Sequence, residues 1–180
     1  MKTAAFALVL LALLPPPAAW ARHHHHNCCV VRCNGCGSSA FWAPRCAMGR
    51  ATFAISNEQK TVDLLLDRRD VILQLSDRTM RRIDRELRDD RDRDEGFLAN
   101  LIKGAVIDGV REMLDHSLRC PLDEVRDARY RDGRLILVTR DRDELFDDLD
   151  VDNGDVMASF SEADARAFVA ELRRLKGIGS

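Results

Sequence analysis

Four consecutive histidines, His23, His24, His25 and His26, are followed by Cys28, Cys29, Cys33, Cys36 and Cys46, which leaves only Cys120 far away in the chain. Imidazole and thiolate are the side chains that hold borderline metal ions, so the first chemistry this spacing suggests is coordination. If the chain is cut after Ala21, the new terminus reads Arg22-His23-His24. A terminal amine, two backbone amides and the His24 imidazole can then wrap Cu or Ni in a square plane. Cys29, Cys33, Cys36 and Cys46 are separated by three, two and nine residues, and four thiolates could hold Zn tetrahedrally. Short histidine tracts also bind metal incidentally.

The same cysteines admit two other readings. Cys33-Asn34-Gly35-Cys36 could be a redox pair, but Gly37-Ser38-Ser39 follows it. That is turn chemistry, whereas an activated thiolate sits at a helix N-terminus. Structural disulfides are the reading the compartment favours: Cys28, Cys29, Cys33, Cys36, Cys46 and Cys120 are an even set, and exported thiols oxidise. A bridge from Cys120 to the N-terminal cluster would close a long loop and contribute about 4 kcal/mol through the unfolded state.

The compartment is read from the first residues. Lys2 gives a positive start, Ala4 to Leu14 is apolar, Pro15 to Pro17 break the run, and Ala19-Trp20-Ala21 supplies small residues for cleavage. That is the layout of a secretory signal over residues 1–21. The apolar run is too short for a bilayer span. An exported protein, periplasmic or secreted, is expected. Arginine-rich basic composition fits a bacterial genome, since only Lys2, Lys60, Lys103 and Lys176 are lysine.

Elsewhere the chemistry thins out. Asp148, Asp150 and Asp152 alternate ahead of Asn153-Gly154 like a calcium loop. The glycine is one position late, though, and Ser159 stands where the bidentate glutamate belongs. A solvated turn is expected there. His116 is read as a structural residue near a helix C-terminus. No nucleophile elbow, phosphate loop, dinucleotide fingerprint or zincin motif occurs in the sequence. Phe41 and Trp42 are apolar groups in a polar stretch, expected to pack on the domain.

Three regions must position these groups: the leader, a His/Cys-rich segment over residues 22–49, disordered or stapled, and one α+β domain over residues 50–180. Thr52 to Ile55, Thr61 to Leu66 and Val71 to Leu75 read as strands, rich in β-branched and aliphatic residues between polar turns. Ser76 or Asp77 caps a helix running to about Asp92, with a narrow seam of Met80, Ile83 and Leu87. A broader apolar face from Phe97 to Leu114 predicts a core helix over about Glu95 to Leu118.

Glu124 to Tyr130 and Leu135 to Thr139 flank Asp132-Gly133, a hairpin signal. Another strand is expected over Glu144 to Leu149. Ser161 to Asp164 opens a last helix with a stripe of Phe168, Leu172 and Leu175, ended by Gly177. The order predicts antiparallel strand groups flanking a central helical pair, with a C-terminal helix and a Cys-rich irregular N-terminal segment.

The formal charge of −2 becomes −3 once Lys2 leaves with the leader, too near neutral for a nucleic-acid partner. The sequence therefore predicts an exported, non-catalytic binding or structural protein that requires no cofactor. Its partner could be another envelope protein. The alternative is a metal-handling protein that captures Cu, Ni or Zn.

Overall fold

The computed structural model describes residues 40–88, 113–151 and 154–177. Its architecture is α+β with antiparallel sheets and a C-terminal helix. The largest element is a five-stranded sheet built from β1 (Phe41–Pro44), β2 (Phe53–Ser56), β3 (Val62–Leu66), β4 (Asp70–Leu75) and β5 (His116–Pro121), in the order β1-β5-β4-β3-β2. The three apolar runs of the sequence make the β2–β3–β4 meander, in register Ile55 with Leu64 and Leu64 with Leu73. Lys60 takes the left-handed conformation (φ 59°) in the first turn. In the second, the Asp67 carboxylate accepts the amides of Arg69 and Asp70, each at 2.6 Å.

Two strands depart from the sequence reading. The helix expected to run through Leu118 stops at Asp115, and His116 opens β5 between β1 and β4. Pro121 disfavours helical backbone at Cys120. Pairing Leu118 with Leu73 also supplies ladder partners that β4 would otherwise lack. At the other departure, Phe41–Pro44, read with the His/Cys-rich segment, forms the edge strand β1 beside β5. Pro44 is tolerated there because an edge has donors to spare. Trp42 is buried, as expected of it.

The hairpin forms as read: β6 (Val125–Arg131) and β7 (Arg134–Thr139) flank Asp132 and Gly133, both at positive φ. The strand expected over Glu144 to Leu149 does not form. Glu144 makes a single bridge to Val138, and Leu145 and Phe146 are both buried. Consecutive inward side chains conflict with strand alternation, and Phe146 turns the chain at φ 67°. Short strands β8 (Asp150–Val151) and β9 (Gly154–Asp155) follow.

Helix α1 (Asp77–Arg88) is capped by Ser76, whose hydroxyl accepts the Thr79 amide at 3.1 Å. Residues 89–112, which carry the end of that expected helix and most of the next, lie outside the described residues. Helix α2 (Glu162–Leu175) is capped by Ser161 and followed by Gly177 at φ 65°.

One face of the sheet carries the core. Leu64, Leu66, Val71, Leu73, Leu118 and Cys120 pack with Leu135 and Leu137 of the hairpin and with Phe168 and Leu172 of α2. The Phe53 and Phe168 rings meet at 6.3 Å. On the opposite face Leu65 and Ile72 are fully buried, beside the buried Gln74 and Asp63. Gln74 lies under the connection from β1 to β2: its amide accepts from the Cys46 N–H and donates to the Cys46 carbonyl, both at 2.9 Å. Among the described residues no helix is long and apolar enough to cross a membrane.

Candidate functional site

Of the residues singled out for metal or disulfide chemistry, His23 to His26, Cys28, Cys29, Cys33 and Cys36 lie outside the described residues. Cys46 and Cys120 are described, and both thiols are free. Cys46 leans on Gln74, whereas Cys120 pairs in register with Val71. Three residues of β4 separate those levels, roughly 10 Å along the strand. Among the described residues no group of three or more His, Cys, Asp or Glu side chains could hold a metal ion. Cys120 is a core residue: burial first, then Glu124, Asp70 and Asp123, push its thiol up to about 12. A thiol so protonated is a poor nucleophile at neutral pH. His116, read as a helix-end residue, opens β5 opposite Pro44.

A different set of side chains converges beneath Cys120, where four chain segments end. The β3–β4 turn brings Arg68 and Arg69. The end of β5 brings Asp70's partner Pro121, with Leu122 and Asp123 beyond it. Arg140 follows β7, and Lys176 ends α2. Together these residues line an open cleft of about 590 Å³. Its floor is fixed by backbone: the Leu122 N–H donates to the Arg69 carbonyl at 2.5 Å, and the Arg140 N–H donates to the Glu124 carbonyl at 2.9 Å.

Lys176 anchors the helix end to that floor. Its ammonium donates to the Leu122 carbonyl at 2.7 Å and to the Val125 carbonyl. Burial first, and then the Arg140 guanidinium, hold it below the usual lysine range. Asp70 is shifted the other way: burial and Asp67 raise its carboxyl, against the pull of Arg119 at 3.6 Å. The guanidinium groups of Arg68, Arg69 and Arg140 are exposed, and among the described residues none has an ion-pair or hydrogen-bond partner. By contrast Arg134, close by in sequence, is held by Glu144 at 3.3 Å, Asp155 at 2.8 Å and the Asp147 carbonyl at 3.2 Å.

Chemically, the cleft offers fixed positive charge over an apolar floor. Arginine keeps its proton at any working pH, and its planar fork matches oxyanions. Lys176 and Asp70 are each engaged with the protein itself, which suits them to holding charge rather than moving protons. Sequence reading missed this site. Arg68-Arg69 in a turn and Lys176 as one of four lysines were visible singly, but only the fold joins them to Arg140. No family model, no curated protein and no solved structure matches this chain.

Proposed function

We propose that this chain is a small exported binding protein, periplasmic or secreted from a bacterium, that holds its ligand in the cleft between the β3–β4 turn and the end of α2. The observation that carries the reading is the set of three guanidiniums, without partners among the described residues, around a backbone-fixed floor. Exposed charge without a protein partner gives little to stability, whereas a concave site with convergent polar groups suits a ligand. The protein works without catalysis and needs no cofactor. The same proposal includes a leader removed after Ala21 and disulfides within the His/Cys-rich segment.

The test is native mass spectrometry of the mature chain recovered from its export compartment without a nickel column. A chain starting at Arg22 that carries a small molecule, lost in Arg140→Gln, is the expected result. A chain that keeps its leader, or turnover abolished by changing His116 or Cys33, would overturn the reading.

A second reading rests on one sequence observation, the four histidines directly before the cysteine cluster. There the chain handles Cu, Ni or Zn through His23 to His26 with Cys29, Cys33, Cys36 and Cys46. Deleting residues 22–27 is then expected to abolish tight copper or nickel binding while residues 50–180 stay folded. Unchanged affinity in that deletion sinks the idea.

A further inference from the structure

We infer that the ligand of the cleft carries a phosphate group, on an organic body that rests over Pro121 and Leu122, an inference that depends on the cleft being the ligand site. Charge is the first reason. Asp70 is already answered inside the wall by Arg119 at 3.6 Å. What remains on the lining is Arg68, Arg69, Arg140 and Lys176 against Asp123, with Glu124 also acting on Lys176 from beside the cleft. A monocarboxylate would leave part of that excess unanswered. A phosphate monoester brings about −1.5 to −2 charges at neutral pH on three strong acceptor oxygens.

Donor geometry is the second reason. Each guanidinium presents a planar fork that can grip two oxygens of one tetrahedral group. Lys176 spends two of its three ammonium protons on the Leu122 and Val125 carbonyls, which leaves one for a ligand. Size is the third. About 590 Å³ lies within the range of small-molecule sites, on the order of 300–1,000 Å³, and exceeds what a bare ion fills. Leu122 is buried in the cleft floor and offers an apolar surface to the rest of the ligand.

The experiment is a heteronuclear NMR titration of the full mature chain with glycerol 3-phosphate, inorganic phosphate and succinate, each at low and at physiological salt. Saturable amide shifts at residues 68–70, 121–123 and 140 are expected for the phosphate ester. Arg140→Gln and Arg68→Gln should each weaken it by about tenfold or more. Arg126→Gln, an exposed arginine of β6 outside the cleft, should not. Both cleft arginines are exposed, so their variants should keep the native spectrum.

Inorganic phosphate binding as tightly as the ester would keep the phosphate chemistry but overturn the organic body, leaving the free ion as the ligand. Succinate binding as tightly as the ester would overturn the phosphate inference and leave the cleft standing as a ligand site. No saturable shift at the cleft with any probe, or equal loss in Arg126→Gln, would overturn both. Co-sedimentation with phosphatidic acid vesicles without binding of the soluble ester would overturn the small-molecule form.

Discussion

At one end of the five-stranded sheet, Asn57, Thr61, Ser76 and Thr79 close the chain on itself through neutral hydrogen bonds, while at the other Arg68, Arg69, Arg140 and Lys176 surround an open cleft. At the closed end, the Asn57 side-chain carbonyl accepts the amides of Thr61 at 2.7 Å and Val62 at 3.1 Å. Its amide donates to the Thr61 hydroxyl at 2.8 Å and the Ser159 hydroxyl at 3.2 Å. Ser76 donates to the Lys60 carbonyl, and Thr79 to the Thr61 carbonyl. Arg45 at that end is also used, since it donates to the Leu75 carbonyl at 2.6 Å and lies 3.3 Å from Asp77. One end of the domain commits its polar groups to its own chain, and the other leaves three guanidiniums exposed without a partner among the described residues.

The largest expected effect breaks the closed end. Asn57→Ala leaves two buried backbone amides without acceptors, and each unsatisfied donor costs about 1–3 kcal/mol. We expect a loss of about 3 kcal/mol in urea unfolding, a large share of the roughly 5–15 kcal/mol that holds a native domain together. A loss under about 0.5 kcal/mol would mean water replaces the side chain and the end is not closed.

Gln74→Ala is next. It removes the paired hydrogen bonds that tie the β1–β2 connection to the buried face, at an expected cost of about 2 kcal/mol. The Cys46 amide should also exchange faster with deuterium. Unchanged exchange at Cys46 would show that the connection is held by its ends alone.

How much of this could be read from residues alone differs between the same two ends. The β2–β3–β4 meander, the Asp132-Gly133 hairpin and the cap of α2 were legible because local periodicity and turn chemistry specify them. Ser76 was legible as a cap for the same reason. β5 was not: Met113, Leu114 and Leu118 share a helical spacing, and only the exposed ladder of β4 turns 116–121 into strand. The cleft was illegible throughout, because its four cations come from three distant stretches and share no motif. The chemistry that stands out in the sequence, His23 to Cys36, lies outside the described residues and does not bear on this comparison.

Proton linkage sharpens the contrast with a smaller signal. At the closed end Asp63 is buried, and burial raises its carboxyl despite the Ser56 hydroxyl donated at 2.7 Å. The folded chain therefore holds that proton more tightly than the unfolded one. Stability from this group is fully present below the unfolded value near 3.8 and is lost as pH rises through the folded value. Asp63→Asn should be the more stable chain at pH 7, with its advantage fading toward pH 3.8. Lys176 at the open end carries the opposite sign. Lys176 is held below 10.5, so the unfolded chain binds the extra proton and stability rises with pH across that interval. Lys176→Met should flatten that alkaline rise. Stability curves of parent and both variants between pH 3 and pH 11 check the pair, and parallel curves would refute it.

The smallest expected effect is the most diagnostic. Arg69→Gln and Arg140→Gln should change stability by no more than about 0.5 kcal/mol in either direction. Neither guanidinium has a partner to lose among the described residues. Arg140 in addition repels the Lys176 ammonium, so its removal should lie on the stabilising side. A residue placed for folding behaves like Asn57, where truncation leaves buried groups unpaired. A residue placed for a ligand should be silent in unfolding and felt only when the ligand is present. If Arg140→Gln instead costs more than about 1 kcal/mol in the ligand-free chain, the guanidinium is part of the fabric, and the two ends of the sheet differ in charge but not in purpose.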